Sequence, residues 1–307
     1  MEEEEIDIKQ LIKALWRGRI FIILFTSLFA ISSVFYSLQI PNKYLSYATL
    51  SSAKAESSSL SNFAGSSLGG LASLAGVNLG QEETSDIQIA MEIMKSWGFI
   101  EKFIKENKLE VKLSAVNGWN RDTNELIVDN KIYDTANSSW LREKTKYRTS
   151  EPTSWELYES FMSILSVSQD EMNNLVIVSI EYYSPSVARE WVNLFVKSIN
   201  DHMRERKLKQ SNANIEYLNE QVLRTTTNET KAMFYNLIEE EIKNKMLAEV
   251  SYEFSFVTIK EAMVPELKNG PKRFEMVASI TLLAGVLSFI FVLIMHYSGK
   301  RIIFRKD

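Results

Sequence analysis

The side chains that enzymes use for nucleophilic, metal or acid/base chemistry are scarce in this 307-residue chain. It has no cysteine, which excludes a thiol nucleophile, a disulfide framework and a thiolate-bound metal. Its two histidines, His202 and His296, lie far apart in sequence, so imidazole chemistry is poorly supplied. The run Glu239-Glu240-Glu241 resembles a metal or acid/base cluster, but consecutive helical positions point in different directions, so a solvated helix face is expected. Gly299-Lys300 is followed by Arg301 and lacks the upstream glycine of a phosphate-binding loop. No G-x-S-x-G, H-E-x-x-H or calcium-loop pattern occurs. Asn137-Ser138-Ser139 and Asn228-Glu229-Thr230 match a glycosylation pattern that arises often by chance. The expectation is a chain with no catalytic residue, no metal and no cofactor. Its net charge of −4 and scattered lysines and arginines also give no nucleic-acid footprint.

The residues whose spacing does carry information concern a membrane. Pro265, Pro271, Lys272 and Arg273 precede an uncharged run from Met276 to Met295, and Lys300, Arg301, Arg305 and Lys306 follow it. Twenty uncharged residues suffice for a helix across ~30 Å of hydrocarbon. The two prolines fix φ and remove backbone donors, so this entrance becomes ordinary helix only past Pro271, which suits a first helical turn. Within the span, Ala278, Thr281, Gly285 and Ser288 recur at steps of three, four and three, which favours a helix-packing face over chance composition.

The elements that position these residues divide the chain into five parts. Residues 1–19 form an amphipathic lead with acid at its start and Arg17 and Arg19 at its end. Residues 20–40 are a first span, with a cleaved signal peptide as the weaker alternative because the apolar run outlasts the cleavage-like Ala30-Ile31-Ser32. Residues 41–274 are the soluble bulk, 275–297 the second span and 298–307 a short tail. Close to the spans, the basic residues of the lead (Lys9, Lys13, Arg17, Arg19) and tail (Lys300, Arg301, Arg305, Lys306) outnumber those on the inner flanks (Lys43, Lys54, Lys268, Lys272, Arg273), which places both termini in the cytoplasm.

The bulk reads as α+β. A strand is expected over 43–50 and two more, 165–168 and 175–182, about a polar turn. Serine, glycine and leucine alternate through 51–80, either a loop packed on a neighbouring subunit or a disordered one. A helix is expected from Asp86 to Leu109 with Ser85 as cap, and another over 152–165 burying Trp155, Tyr158, Phe161 and Met162. A long helix begins at Pro185 with Val187, Trp191, Leu194, Phe195 and Ile199 facing the sheet. Its apolar face then narrows to Leu208, Ile215, Leu218 and Val222. Thr225-Thr226-Thr227 breaks it, Thr226 with Glu229 suggests a capping box, and Phe234, Ile238, Ile242, Met246 and Val250 form the stripe of a returning helix. This predicts a helical projection over about 186–252, closed by a strand at 255–259.

Taken together, Glu5-Ile6-Asp7-Ile8, Pro41 to Leu50, Leu71-Ala72-Ser73-Leu74-Ala75-Gly76, Tyr183-Ser184-Pro185 with Ala188 and Trp191-Val192-Asn193, Leu237-Ile238-Glu239, Met246-Leu247-Ala248, and Ala262 to Arg273 resemble the Wzz-type chain-length determinants, polysaccharide co-polymerases of bacterial surface polysaccharide synthesis. The family's entrance spaces three prolines before Pro-Lys-Arg. Here Pro265 and Pro271 hold the outer two places and Lys268 the middle one. The resemblance implies a two-pass inner-membrane protein with an α/β base near the membrane, a helical hairpin projecting into the periplasm, and a ring-like homo-oligomer. It implies a non-enzymatic role, setting the modal length of lipopolysaccharide O-antigen or a related polymer. The implied partners are a membrane polysaccharide polymerase and the growing glycan on its lipid carrier. Related co-polymerases add a tyrosine kinase, and the 307 residues contain neither its nucleotide loop nor a tyrosine-rich tail. A periplasmic adaptor for polysaccharide export is the alternative. A ligand sensor would need an output domain that the tail does not supply.

Overall fold

The structure is a computed structural model that describes residues 8–53, 79–145, 148–170 and 172–297. The motif Leu71 to Gly76, most of the serine-glycine-leucine stretch and the tail at 298–307 lie outside the described residues. The chain divides into two units, one built from its two ends and one from Tyr44–Leu267.

The first unit holds two apolar helices, α1 (Ile8–Gln39) and the last helix of the chain, Arg273–Tyr297. Within them Leu15–Gln39 and Arg273–Met295 are long and apolar enough to cross a membrane. The lead residues from Ile8 onward are continuous with the first apolar helix, with no break at residue 19.

The second unit is a four-stranded antiparallel sheet covered by helices. Strands β1 (Tyr44–Ser52), β6 (Leu165–Asp170), β7 (Leu175–Tyr182) and β8 (Phe256–Lys260) are ordered β6-β7-β1-β8. Alternation along β7 buries Val176, Val178, Ile180 and Tyr182 on one face, as period-two patterning demands. Onto that face pack α2 (Leu79–Lys95), α3 (Trp97–Glu106), α4 (Glu110–Ser114), α5 (Ser154–Met162) and the first half of α6 (Pro185–Arg224). The expected helix over 86–109 is therefore two helices broken at Ser96, and α2 begins at Leu79, so Ser85 lies inside it and not at its cap. The stretch 110–151 contains two hairpins, β2 (Val116–Asn120) with β3 (Glu125–Val128), and β4 (Tyr133–Asp134) with β5 (Ser139–Trp140).

The core is aromatic. Phe103 meets Phe161 at 5.3 Å and Phe195 at 5.2 Å, and Trp191 lies 4.5 Å from Tyr182, whose hydroxyl donates to Lys112 O at 2.6 Å. Burial raises the Tyr182 pKa, so the phenol stays a neutral donor. On α5 the expected buried face is corrected: Leu157 and Phe161 are buried, whereas Trp155 is 57% exposed. The reason is helical phase: Trp155 lies two residues before Leu157, about 200° round the helix, so the face that buries Leu157 and Phe161 leaves it outside. A capping box at Thr153 and Glu156, with Arg142 donating to Glu156 at 2.8 Å, fixes where α5 begins. Burial opposes ionisation of Glu156, but Arg142, the Thr153 amide and Arg148 outweigh it and hold the pKa below the ordinary value.

After its first half, α6 leaves the sheet and pairs with α7 (Asn228–Val250). Its 40 residues make it about 60 Å long. The N-cap of α7 is Thr227, with no side-chain capping bond, so the expected Thr226–Glu229 capping box is not formed. The stripe expected on α7 is corrected too. Phe234 and Ile238 face α6, but Ile242, Met246 and Val250 are 43%, 59% and 81% exposed. A step of four drifts around a helix of 3.6 residues per turn, and the packed seam continues instead through Glu241, Lys245 and Ala248.

The buried Asn200 joins α6 to the edge of the sheet. Its amide donates to Phe256 O and its oxygen accepts from the Ser255 and Phe256 amides, each at 2.9 Å. Asn200→Leu keeps the volume but leaves three buried backbone groups unpaired, and should cost about 3 kcal/mol, each orphaned group costing ~1–3 kcal/mol. Urea unfolding of the solubilised chain, followed by far-ultraviolet circular dichroism, measures it.

Candidate functional site

The residues singled out in the sequence fall in and beside the first unit. Its second helix is labelled α8 (Arg273–Tyr297). At one end of the pair, the backbone of Lys43 donates to Gly270 O at 2.9 Å and accepts from the Asn269 amide at 2.8 Å. Arg273 begins α8 and reaches back across the pair: its Nη2 donates to Ile40 O at 3.2 Å and to Asn42 Oδ1 at 3.1 Å. The end of α1 would otherwise leave its last carbonyls without donors, and Arg273 supplies one. Pro271, which has no N–H, sits between the two sets of bonds, where none is needed. Lys272 pairs with Glu275 at 3.4 Å on an exposed surface, a contact worth little by itself. Pro265 belongs to the second unit and Lys268 to the first.

Along α8, Thr281, Gly285 and Ser288 face α1, and Ser288 is 1% exposed. Ala278 lies on the exposed side. The same packed face also uses Ala284 and Val292, which the step-of-three-and-four count passes over. Opposite them α1 presents Gly18, Thr26, Ser33 and Ser37, a small-residue stripe not singled out in the sequence. Its spacing of eight, seven and four is compatible with helical repeat and would have revealed it. Ser33, Thr26 and Ser288 turn their hydroxyls onto carbonyls of their own helices, so no polar atom competes with close approach. A Cβ on Gly18 would lie 2.5 Å from Val292 Cγ1, and one on Gly285 at an ordinary 3.6 Å from Thr26 Cγ2. Phe21 stacks on Phe291 at 5.2 Å beside the Gly18 contact.

Among the described residues no cluster of three or more histidine, aspartate or glutamate side chains is placed to hold a metal. The chemistry available at these residues is recognition and packing.

Gly18→Ala should lower the melting temperature of the solubilised protein by a few degrees, consistent with an overpacking cost of ~1–3 kcal/mol. Gly18→Ala with Val292→Ala should recover most of the loss, because the methyl groups in conflict are then gone. Differential scanning fluorimetry of the three proteins measures the coupling.

Residues 4–107 match the sequence model of the Wzz family, described as chain length determinant protein. The resemblance drawn from the sequence therefore holds over the amino-terminal third. No curated protein matches the chain. Among solved structures it is similar to a full-length bacterial polysaccharide co-polymerase, at 11% identity over 95% of this chain and 98% of that one, with a TM-score of 0.38. It is also similar to a fragment of WzzB, a polysaccharide co-polymerase from Salmonella Typhimurium, at 12% identity over 75% of this chain and 100% of that one, with a TM-score of 0.29. A mutant of the Shigella flexneri lipopolysaccharide O-antigen chain-length regulator matches at 8% identity over 74% of this chain and 100% of that one, with a TM-score of 0.19.

Proposed function

We propose that this chain regulates the length of a bacterial surface polysaccharide, the modal length of lipopolysaccharide O-antigen or a related polymer. The observation that carries this reading is the chain length determinant match across residues 4–107, which runs from the start of α1 through β1 to the end of α3. Two apolar helices at the ends of the chain support a two-pass protein of the bacterial inner membrane. In the proposal both termini are cytoplasmic, the sheet and its helices form a base near the membrane, and the α6–α7 hairpin projects into the periplasm. The chain acts without catalysing a reaction, as a ring-like homo-oligomer beside a separate polymerase that extends glycan on a lipid carrier. The geometry of packed helices then limits how long polymerase and glycan stay engaged.

In this reading Pro265, Pro271, Lys272 and Arg273 set how the chain enters the second span, and Ala278, Thr281, Gly285 and Ser288 supply close packing within the membrane. The hydrogen bonds from Arg273 to Ile40 and Asn42 support the first role, since they tie the ends of the two helices together.

Deleting the gene should leave polymer on the cell surface without its preferred length. A lipopolysaccharide gel reads this directly: an unchanged length distribution overturns the proposal, and polymer trapped inside the cell favours the export adaptor.

Pro271→Ala and Arg273→Ala should each shift or broaden the modal band at normal expression. Unchanged banding in both would remove the entrance from the functional account.

A further inference from the structure

The seam between α6 and α7 is narrow. Ser211 and Val222 are its buried residues on α6 beyond the sheet, and Ile238 and Ala248 those on α7, with half-buried Leu208, Ile215, Leu218 and Phe234 beside them. At its middle sit polar groups. Asn214 Nδ2 donates to Glu241 Oε1 at 2.9 Å, and Ser211 is 0% exposed. Ser211 Oγ and Glu241 Oε2 are both shut off from solvent without a well-formed hydrogen bond. The serine hydroxyl is still near enough to join Asn214 in favouring the ionised carboxylate against the effect of burial, with Lys207 adding a weaker attraction.

An apolar alternative stands next to it. Ile242, Met246 and Val250 continue the Phe234–Ile238 line in steps of four, yet all three face solvent. Burying them would require α7 to roll by about 100°, one residue's worth of rotation, which carries Glu241 out of the seam. Within one chain, apolar burial alone gives no reason for the seam to run through a glutamate while three large apolar side chains are left outside it. A directional bond to a half-buried partner gives one, in the way a single polar seam residue fixes the register of a coiled coil at some cost in stability.

We infer that Asn214 and Glu241, enclosed by Ser211, are positioning residues that select which face of α7 packs on α6, and so fix the register of the hairpin on which polymer length depends. This rests on the chain-length reading above, but the register itself can be measured without reference to any polymer. Glu241→Leu removes the acceptor and makes both faces of α7 apolar, whereas Glu241→Gln keeps an acceptor for Asn214. Asn214→Leu removes the donor from the other side.

The test uses the full-length chain, which has no cysteine of its own. Tyr217→Cys and Met233→Cys, both exposed positions outside the two competing faces, carry spin labels, and pulsed dipolar spectroscopy gives the distance between the arms. The parent should give one narrow distribution. Glu241→Leu and Asn214→Leu should split it or displace it by roughly 8 Å, the chord of a 100° roll at the ~5 Å outer radius of a helix, while retaining helix content. Glu241→Gln should restore the parent distribution. In cells the same variants without labels should lose or shift the modal band wherever the distance changes, with Glu241→Gln banding as wild type. Distances unchanged in both leucine variants overturn the inference, as does a displaced distance with unaltered polymer length, or altered length at an unchanged distance. Failure of the chain-length reading appears separately, as an unchanged gel on deletion of the gene.

Discussion

The chain leaves α1 and returns to α8 through one pair of residues, Lys43 and Gly270, bonded backbone to backbone. Everything from Tyr44 to Leu267 must therefore be a domain whose two ends meet. The sheet satisfies that requirement internally, because β1, the first strand, and β8, the last, are hydrogen-bonded neighbours. The intervening chain is then free to travel out along α6 and back along α7, provided it returns to the strand beside its start. Arg273 reinforces the closure from the helical side by taking the carbonyl that α1 leaves open.

Along α6 the same helix solves two packing problems in succession. Near Trp191, Phe195 and Ile199 it meets a sheet and an aromatic cluster, and every inward position is apolar. Asn200 marks the end of that regime, because it must match the backbone of β8 and can do so only with a side chain that both donates and accepts. Beyond Glu205, which still reaches Lys102 of α3 at 3.3 Å, the inward positions of α6 shrink to a strip facing α7.

Much of this was legible in the sequence. The two apolar helices follow from uncharged length, and β6, β7, β1 and β8 from alternation, since these signals depend on local pattern alone. What failed depended on geometry at a distance. Trp155 looks like a core residue by periodicity, but it lies about 200° round α5 from Leu157, and Leu157 with Phe161 takes the core face. Ile242, Met246 and Val250 look like a seam because they recur every four residues, but Asn214, on another helix, decides which face is used. The stripe on α1 is less plain than the one on α8 because its members stand eight, seven and four residues apart in place of three or four, although close packing between apolar helices depends on such residues. At the entrance the residue types were plain in the sequence, while the reach of Arg273 to Ile40 and Asn42 was not, since it joins positions more than two hundred residues apart.

The clip at Lys43 and Gly270 also bears on modularity. A domain that starts and ends at one point is, in covalent terms, an insertion in the turn of a helical hairpin, and the hairpin does not need to know what it carries. The pair of apolar helices and the body between them can then vary independently, each accepting substitutions, or replacement by a different module, with only the junction held in common. A chain built this way can change the body between Tyr44 and Leu267 without rebuilding the pair of apolar helices.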